Sequence, residues 1–281
     1  MLFLTLLMLT AQESPPPLGQ LVDVGGYRVH LYCTGQGSPT VVAIGGFSMD
    51  WALVRSEVAQ FTRICTYDVS GTAWSEPGRH ATCPDRYREL HAALHNAGIE
   101  GPYLFAGLSV GALVSRYYAI QYPGEVVALV FVDHAFTPGK APSGPVRPPD
   151  ANGDSPPQLI EQTPIDFTVE EASDFNNLPE KMRELHRWAA SKPPVSSVEA
   201  ADDCTARLKS VSLGSLPLVV ISTGNQARGY AELQARLLAL SRNSRQVMAL
   251  RSLHSVEIDQ PEVVVDAIRQ AMGMFKSGTK Q

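Results

Sequence analysis

The chain has 281 residues, of which 44% are hydrophobic and 18% are charged, and its formal net charge is −5. A chain of this length can bury one sizeable core that carries an inserted segment, and this composition argues against wholesale disorder. Because no run of Lys or Arg stands out, the sequence indicates no nucleic-acid partner and no attraction to an anionic membrane surface.

Residues 1–19 differ from the rest of the chain. The segment begins with a short apolar run, Leu2–Leu9, and continues into the prolines of 15–17, which are typical of a linker. The run is shorter than the ~20 residues that a bilayer-spanning helix needs. One interpretation is a secretory signal without the usual positive charges, and the other is a frayed apolar N-terminus. We therefore expect either an exported or a cytoplasmic protein, with membrane contact only if this segment is retained as an anchor.

Strand and helix patterns alternate over residues 20–133. The first two strands form a predicted hairpin that turns at Gly25 and Gly26. Later strands are continuous apolar runs, as expected for a parallel sheet that is buried on both faces. The elements predicted after the hairpin are strand 39–46, helix 51–60 with Asp50 as its N-cap, strand 62–68, helix 84–96, strand 101–107, helix 112–123 and strand 125–133.

The alternation stops at residues 134–216 and then resumes. This stretch is first rich in Pro, Gly, Ser and Asp and then has helical patterns near 169–175 and 180–190. Because a structureless loop of this length is uncommon in a compact domain, we predict a mostly helical lid over 134–216. The whole pattern predicts an α/β fold with a mainly parallel sheet flanked by helices, its core formed by 20–133 and 217–281. The elements predicted after the lid are strand 217–223, helix 230–241, strand 245–250 and helix 261–274.

The four cysteines contain no C-x-x-C pair, and the sequence therefore indicates no zinc site. Cys33 and Cys65 lie in strand-like runs, where we interpret them as small buried apolar residues. Cys83 and Cys204 lie in polar, loop-like contexts and are able to form a disulfide if the chain is exported. Spacing alone does not decide that pairing.

Gly107, Leu108, Ser109, Val110 and Gly111 form the pattern G-x-S-x-G between a predicted strand and a predicted helix. A strand-to-helix turn at this point holds the serine in a strained backbone conformation, and side chains in place of the glycines would collide with neighbouring elements. The turn also places the serine at a helix N-terminus, where free N–H groups favour developing negative charge. We interpret Ser109 as a nucleophile, and an ordinary strand-to-helix turn is the alternative.

A serine hydroxyl needs a base to take its proton, and the chain has seven histidines. His254 falls after the last predicted strand and before the last predicted helix, at the edge where the carboxyl ends of parallel strands meet. The order of serine before histidine along the chain also fits a hydrolase. We predict His254 as the base. A surface or packing role fits better for His30, His80, His91, His95 and His186.

Over about residues 20–275 the chain resembles an α/β-hydrolase-fold serine hydrolase. The resemblance is carried by GGF after the third strand, YDVSGTAWSEP, GLSVG, the strand ending VFVD, and LHSVEIDQPEVV. It implies an eight-stranded sheet, with 134–216 as a lid over the site. It also implies an oxyanion hole made by the backbone N–H groups of Val110 and Phe47. A simple strand-ending turn is the alternative interpretation of Gly45 and Gly46.

The acid of the catalytic triad departs from the usual family pattern. Many relatives carry it shortly after the seventh strand, where this chain reads STGNQARGYAEL and has no carboxylate before Glu232. Some members use the end of the sixth strand, where Asp133 stands 24 residues after Ser109. Because a carboxylate must hold the base in the right tautomer, we predict Asp133 as the acid, with a turn-capping role as the alternative. Leu108 and Gly45 replace frequent histidines and make the mouth of the site less polar.

These residues predict an esterase-like serine hydrolase that uses no metal and no organic cofactor. Ser109 attacks the carbonyl of a small, apolar ester, His254 moves the proton, and water releases the acid from the acyl-enzyme. Serine at position 109 disfavours dehalogenase and epoxide-hydrolase chemistry, which needs a carboxylate nucleophile. Amidase, C–C hydrolase, lactonase, peptidase and acyltransferase activities remain open, as does the oligomeric state. A second hypothesis is a degenerate hydrolase that binds a small ligand without turnover, which the missing carboxylate after the seventh strand favours.

Overall fold

An eight-stranded sheet forms the centre of the computed structural model, which describes residues 14–78, 82–134, 175–193, 198–208, 211–224, 230–252 and 254–278. The strands are β1 Gln20–Asp23, β2 Arg28–Thr34, β3 Thr40–Ile44, β4 Ile64–Asp68, β5 Tyr103–Leu108, β6 Val126–Val132, β7 Leu218–Thr223 and β8 Ser244–Ala249. They lie side by side in the order β1-β2-β4-β3-β5-β6-β7-β8. β2 is antiparallel to both of its neighbours, and the remaining pairs are parallel. The predicted α/β fold with a mainly parallel sheet is confirmed.

Helices cover both faces of the sheet. They are α1 Ala52–Val58, α2 Cys83–Asn96, α3 Val110–Gln121, α4 Glu180–Ala190, α5 Val198–Leu208, α6 Tyr230–Leu238, α7 Val256–Asp259 and α8 Pro261–Gly278. α2, α3 and α5 contact one another on one face, and α1 contacts α8 on the other. None of the described helices combines the length and the apolar character needed to cross a membrane.

The central strands are buried because alternate side chains enter two different hydrophobic cores. Phe105 and Phe131 pack with α2 and α3, whereas Leu104 and Val130 pack with α1 and α8. Successive side chains of a strand point to opposite faces, so a strand covered on both sides needs apolar residues throughout. This confirms the interpretation of the apolar runs, since every residue of β3, β4, β5 and β7 is buried.

The start of α1 differs from the prediction that Asp50 caps it. The helix begins at Ala52, and the residue before it, Trp51, makes no side-chain capping hydrogen bond. The Asp50 carboxylate instead accepts hydrogen bonds from the backbone N–H of Phe47 and from the ring of His186. The N-cap prediction was wrong because a tertiary partner and the preceding turn compete for the same carboxylate.

Within residues 134–216 the described structure is largely helical. It comprises a 3-10 turn at Phe175–Asn177 and the helices α4 and α5. α4 matches the helix predicted at 180–190, whereas most of the helix predicted near 169–175 lies outside the described residues. The sequence did not predict α5, because few of its described residues have apolar side chains that pack against the core. Cys204 and Leu208, one helical turn apart, are both buried.

Two disulfides join the four cysteines, and one of them corrects the sequence interpretation. Cys33 and Cys65 are bonded to each other, with Cα atoms 4.0 Å apart, and are not free apolar residues. They face each other because β2 pairs antiparallel with β4 and not with β3, a neighbourhood that the chain order does not reveal. The second bridge joins Cys83 at the start of α2 to Cys204 on α5, the pairing that the sequence had left open.

Candidate active site

Ser109 lies in the tight turn between β5 and α3. Its backbone has φ 53° and ψ −118°, in the left-handed region that a residue with a side chain rarely adopts. Such a conformation costs about 1–3 kcal/mol and persists where surrounding contacts hold it, often at functional sites. Here the Ser109 N–H donates to the carbonyl of Val132 at 3.1 Å, which ties the turn to the end of β6.

The two glycines that flank Ser109 are required by close backbone packing. A Cβ on Gly107 would lie 2.5 Å from the backbone nitrogen of Ala112, and one on Gly111 would lie 2.2 Å from the carbonyl oxygen of Ile44. Real Cβ atoms do not approach backbone so closely. The G-x-S-x-G pattern therefore has a steric cause in this molecule, and the strand–turn–helix context that it predicted is present.

Asp133 follows β6 directly, and three donors hold its buried carboxylate. Its Oδ1 accepts the Tyr230 hydroxyl at 2.7 Å and the Thr223 hydroxyl at 3.1 Å. Its Oδ2 lies 2.7 Å from Nδ1 of His254. Burial and the neighbouring Asp133 charge raise the pKa of Tyr230, so its hydroxyl keeps its proton and remains a donor. Hydrogen bonds on both oxygens hold the carboxylate in one orientation.

His254 lies at the mouth of the site, between β8 and α7. Its Nδ1–H donates to the Asp133 carboxylate, which leaves Nε2 as the ring nitrogen able to accept a proton. The side chain is 51% exposed, and both it and Ser109 line one cavity. Among the hydrogen bonds of the described residues, none joins the Ser109 hydroxyl to the His254 ring. In hydrolases this contact often tightens only when substrate binds.

The cavity that contains Ser109 and His254 has a volume of about 310 Å³. Apolar side chains form part of its wall: Ile44, Val69, Leu108 and Val114. Besides Ser109 and His254, the polar and charged residues that line it are Asp50, Thr72, Arg86, Ser255 and Glu257. The size suits a small molecule, and the mixture of apolar wall with a few polar groups is typical of a small-ligand site.

The two predicted oxyanion donors differ in whether their N–H groups already donate a hydrogen bond. The N–H of Val110, at the first position of α3, has no hydrogen-bond partner among the described residues. The N–H of Phe47 already donates to Asp50 Oδ2 at 2.9 Å, and Asp50 Oδ1 lies 2.7 Å from Nδ1 of His186 on α4. Gly46 and Asp50 line the cavity, whereas Phe47 is not among the lining residues. The Phe47 amide is therefore free for an oxyanion only if the Asp50 carboxylate moves aside.

Glu232, the first carboxylate after β7, is exposed on α6 and takes no part in this arrangement. The polar groups that β7 and α6 contribute are the side chains of Thr223 and Tyr230, which bind the carboxylate of Asp133. Sequence reasoning missed both residues. Thr223 had a usable signal, because it ends the strand next to the one that precedes Asp133.

His134 is a further residue that sequence reasoning passed over. Its Nδ1–H donates to the carbonyl of Ser109 at 3.0 Å, so it ties the turn at Ser109 to the segment that follows β6. Burial lowers the pKa of His134 to about 4, with the Arg116 charge acting in the same direction. At neutral pH the ring is therefore uncharged, and it acts as a hydrogen-bond donor to the turn.

The chain belongs to the alpha/beta hydrolase family, whose model matches residues 33–267. The uncharacterised protein YqjL of Bacillus subtilis (strain 168) is 23% identical over 244 residues, which are 83% of either chain. The putative carbamate hydrolase RutD of Escherichia coli O1:K1 / APEC is 35% identical over 102 residues, which cover 34% of this chain and 38% of RutD.

Solved structures of similar fold include two hydrolases. A thermophilic esterase from Thermogutta terrifontis superposes with a TM-score of 0.64 at 22% identity, covering 91% of this chain and 97% of that one. The serine hydrolase CarC, involved in carbazole degradation, has a TM-score of 0.60 at 17% identity, covering 91% and 98%. At these identities the likeness shows the fold, and the family membership supports hydrolase activity in general.

Proposed function

We propose that the protein hydrolyses carboxylic esters of small, largely apolar substrates through an acyl-enzyme. The observation that carries this proposal is the 2.7 Å contact between His254 Nδ1 and Asp133 Oδ2 at the edge of the cavity that also contains Ser109. In this proposal Ser109 is the nucleophile, His254 the general base and acid, and Asp133 the group that orients the base.

The steps follow from the roles of the three side chains. The Ser109 oxygen attacks the ester carbonyl while its proton passes to Nε2 of His254. The Asp133 carboxylate stabilises the resulting imidazolium, which then protonates the leaving alcohol. Water, deprotonated by the same ring, attacks the acyl-serine and releases the acid. Each proton taken up by His254 is returned, so the cycle needs no added reagent.

The proposed oxyanion hole uses the N–H groups of Val110 and Phe47. The first stands at the N-terminus of α3, where the helix favours negative charge. The second requires the Asp50 carboxylate to release it, because the two are hydrogen-bonded at 2.9 Å. A negatively charged carboxylate beside a forming oxyanion is unfavourable, and this supplies a reason for Asp50 to turn away when substrate binds.

A direct test combines covalent labelling with turnover. The protein and its Ser109→Ala variant are incubated with a fluorophosphonate probe, and short p-nitrophenyl esters are assayed in parallel. We expect labelling and turnover for the native chain and neither for the variant. Asp133→Asn should lose most of the turnover, and the matched control Glu232→Gln should retain it. Absence of both labelling and turnover in the native chain would exclude the esterase proposal.

Two other candidates have specific observations in their favour. The local likeness to a putative carbamate hydrolase favours C–N bond cleavage, which p-nitroanilides and aryl carbamates in the same assay would reveal. The occupied Phe47 amide favours a degenerate hydrolase that binds a ligand without turnover. In that case a cavity ligand would raise the melting temperature while Ser109 stayed unlabelled.

We also propose that the protein is exported and that 134–216 forms a lid. Two disulfides support export, because such bonds persist in oxidising compartments. The His186–Asp50 contact supports the lid, since it joins α4 to the loop after β3 beside the cavity. Cell fractionation with mass spectrometry of the unreduced protein tests export.

A further inference from the structure

Glu257 adds a further carboxyl group to the proposed active site, beside those of Asp133 and Asp50. It lies on α7, three residues after His254, and the whole residue is only 1% exposed. It nevertheless lines the cavity that contains Ser109 and His254. Its Oε2 atom is buried and has no hydrogen-bond partner among the described residues. The esterase cycle described above gives this group no role.

In the neighbouring carboxylates Asp133 and Asp50, each oxygen accepts a hydrogen bond. Asp133 is held by His254, Tyr230 and Thr223, with both of its oxygens engaged. Both oxygens of Asp50 are also engaged, by the His186 ring and by a backbone N–H. Leaving a buried polar atom without a partner costs free energy, and in native proteins it is often a sign of function. Glu257 differs from these neighbours because one of its carboxyl oxygens has no hydrogen-bond partner among the described residues.

The surroundings favour the neutral acid form of Glu257. Burial raises the pKa of its carboxyl well above the ordinary value, and the nearby charges of Asp50, Asp259 and Asp133 raise it further. A hydrogen bond with its own backbone N–H lowers the pKa; its effect is smaller than that of burial and larger than that of any one of these charges. A protonated carboxyl has an O–H that can donate a hydrogen bond, which an ionised one lacks.

Arg86 determines which kind of ligand suits this acid. The residue is buried, lines the same cavity, and donates to the Ser70 hydroxyl through a long contact of 3.4 Å. A guanidinium only donates hydrogen bonds, and its charge repels a cationic ligand. Glu257 and Arg86 both line the cavity and both can donate hydrogen bonds, so a neutral oxygen acceptor fits this cavity better than an ammonium group.

We propose that Glu257 donates a hydrogen bond to a second oxygen atom of the substrate. The site would then select small esters that carry a keto, ether or hydroxyl oxygen in addition to the scissile ester group. This inference rests on the proposed esterase function and specifies its substrate class. Glu257 is here a substrate-binding residue that determines specificity.

The test compares matched esters with and without the second oxygen. One pair is p-nitrophenyl 4-oxopentanoate and p-nitrophenyl pentanoate, which differ on the acyl side. The other is 2-methoxyethyl butyrate and butyl butyrate, which differ on the alcohol side. For each pair the ratio of kcat/KM values, oxygenated over plain, is measured in the native chain and in variants. Intrinsic ester reactivity cancels when one pair's ratio is compared between proteins.

Three variants separate hydrogen bonding from packing. Glu257→Met removes the donor at similar size and should lower the ratio of at least one pair by about tenfold, the effect of one lost hydrogen bond. Glu257→Gln keeps a donor and should stay within about threefold of the native ratio. Glu262→Gln changes an exposed carboxylate on α8 and should leave the ratio as it is.

A pH series adds a readout that packing alone would not change. The groups facing Glu257 are Asp50, Asp259 and Asp133, with Arg86 and His254 on the same cavity. An effect of pH on the chemical steps that both esters share acts on the two equally and cancels in their ratio. As the pH rises and Glu257 loses its proton, the native ratio should fall, whereas the ratio of Glu257→Gln should remain constant.

The outcomes distinguish this inference from the function on which it rests. If fluorophosphonate labels Ser109 and esters are turned over but Glu257→Met leaves both ratios unchanged, the inference is wrong and the esterase proposal stands. The same conclusion follows if Glu257→Met lowers both esters of each pair equally, which would indicate a structural role. A native preference for ammonium-bearing esters that Glu257→Gln abolishes would also overturn it. Absence of labelling and of all turnover would instead defeat the esterase proposal.

Discussion

Two His–Asp pairs in this molecule have the same local geometry and different surroundings. In each of them Nδ1 of the ring lies 2.7 Å from a carboxylate Oδ2, in His254–Asp133 and in His30–Asp68. The His30 side chain is fully buried, and its Nε2 accepts a hydrogen bond from the Gly19 N–H at 2.9 Å. The His254 side chain is 51% exposed and lines the cavity with the nucleophile candidate.

A serine stands beside each pair, which makes the comparison instructive. The Ser48 hydroxyl donates to Asp68 Oδ2 at 2.8 Å and lies 3.4 Å from Nδ1 of His30. The Ser48 hydroxyl therefore lies on the carboxylate side of the ring. The only ring nitrogen near it, Nδ1, is already bonded to Asp68, so no ring nitrogen can accept the serine proton. Proximity of Ser, His and Asp does not by itself define a catalytic site. What matters is that the nitrogen remote from the carboxylate faces substrate and not the protein interior.

Exchanging each histidine for asparagine is the strongest test of this contrast. His254→Asn should lower kcat for p-nitrophenyl butyrate by at least about 10³-fold, because the proton acceptor is lost. His30→Asn should lower the melting temperature by about 10 °C, because it breaks a buried pair, and change kcat of the folded protein by less than about threefold. Circular dichroism melting and steady-state kinetics measure the two effects. Loss of kcat in folded His30→Asn would remove the distinction.

Removing a disulfide should lower the free energy of unfolding, and removing the bridge beside His30 and Asp68 should leave kcat largely unchanged. Cys33–Cys65 joins β2 to β4, the strands that carry His30 and Asp68. By loop-closure entropy, over separations of 32 and 121 residues, replacing both cysteines of a bridge by alanine should cost about 4 kcal/mol for Cys33–Cys65 and about 5 kcal/mol for Cys83–Cys204. Urea unfolding measures the loss. If removing Cys33–Cys65 reduced kcat as strongly as His254→Asn, the two regions would not be independent.

Acid should destabilise the folded protein through His134, which binds the turn at Ser109. The folded protein holds the pKa of His134 at about 4, against 6.5 for the ordinary side chain. Between these pH values the unfolded chain binds a proton that the folded chain does not, so stability is complete above pH 6.5 and is lost as the pH falls towards 4. The loss from this one group is about 3 kcal/mol. Urea unfolding at pH 7, 5 and 4 should show a steeper decline for the native chain than for His134→Gln.

The smallest expected effect concerns the hydroxyl that supports Asp133. Tyr230→Phe removes one of the two hydroxyl donors to Asp133 Oδ1 and should lower kcat by about tenfold, since the carboxylate then orients His254 less firmly. Tyr27→Phe is the matched control, because its hydroxyl binds Glu89 away from the cavity. An equal loss of kcat in both variants would indicate a general effect on stability and not on the triad.

Much of the architecture was decided by local patterns in the sequence. The continuous apolar runs predicted the buried strands, because a parallel sheet covered on both faces needs apolar residues at every position. The G-x-S-x-G pattern predicted the turn at Ser109, because the space beside Gly107 and Gly111 admits no side chain. The carboxyl ends of the strands predicted where Asp133 and His254 come together, and the structure brings them to 2.7 Å. Their catalytic roles, and that of Ser109, remain predictions.

Tertiary structure alone decided the partners of the polar groups. The Cys33–Cys65 bridge depends on β2 lying beside β4, which no local pattern encodes. Asp50 was predicted as a helix cap, but it binds Phe47 and a ring on α4 because a short carboxylate takes whichever donors the fold presents. Tertiary packing also decides that one oxygen of Glu257 is buried without a hydrogen-bond partner among the described residues. A sequence shows which groups can donate and accept, and the packing of distant segments determines which of them meet.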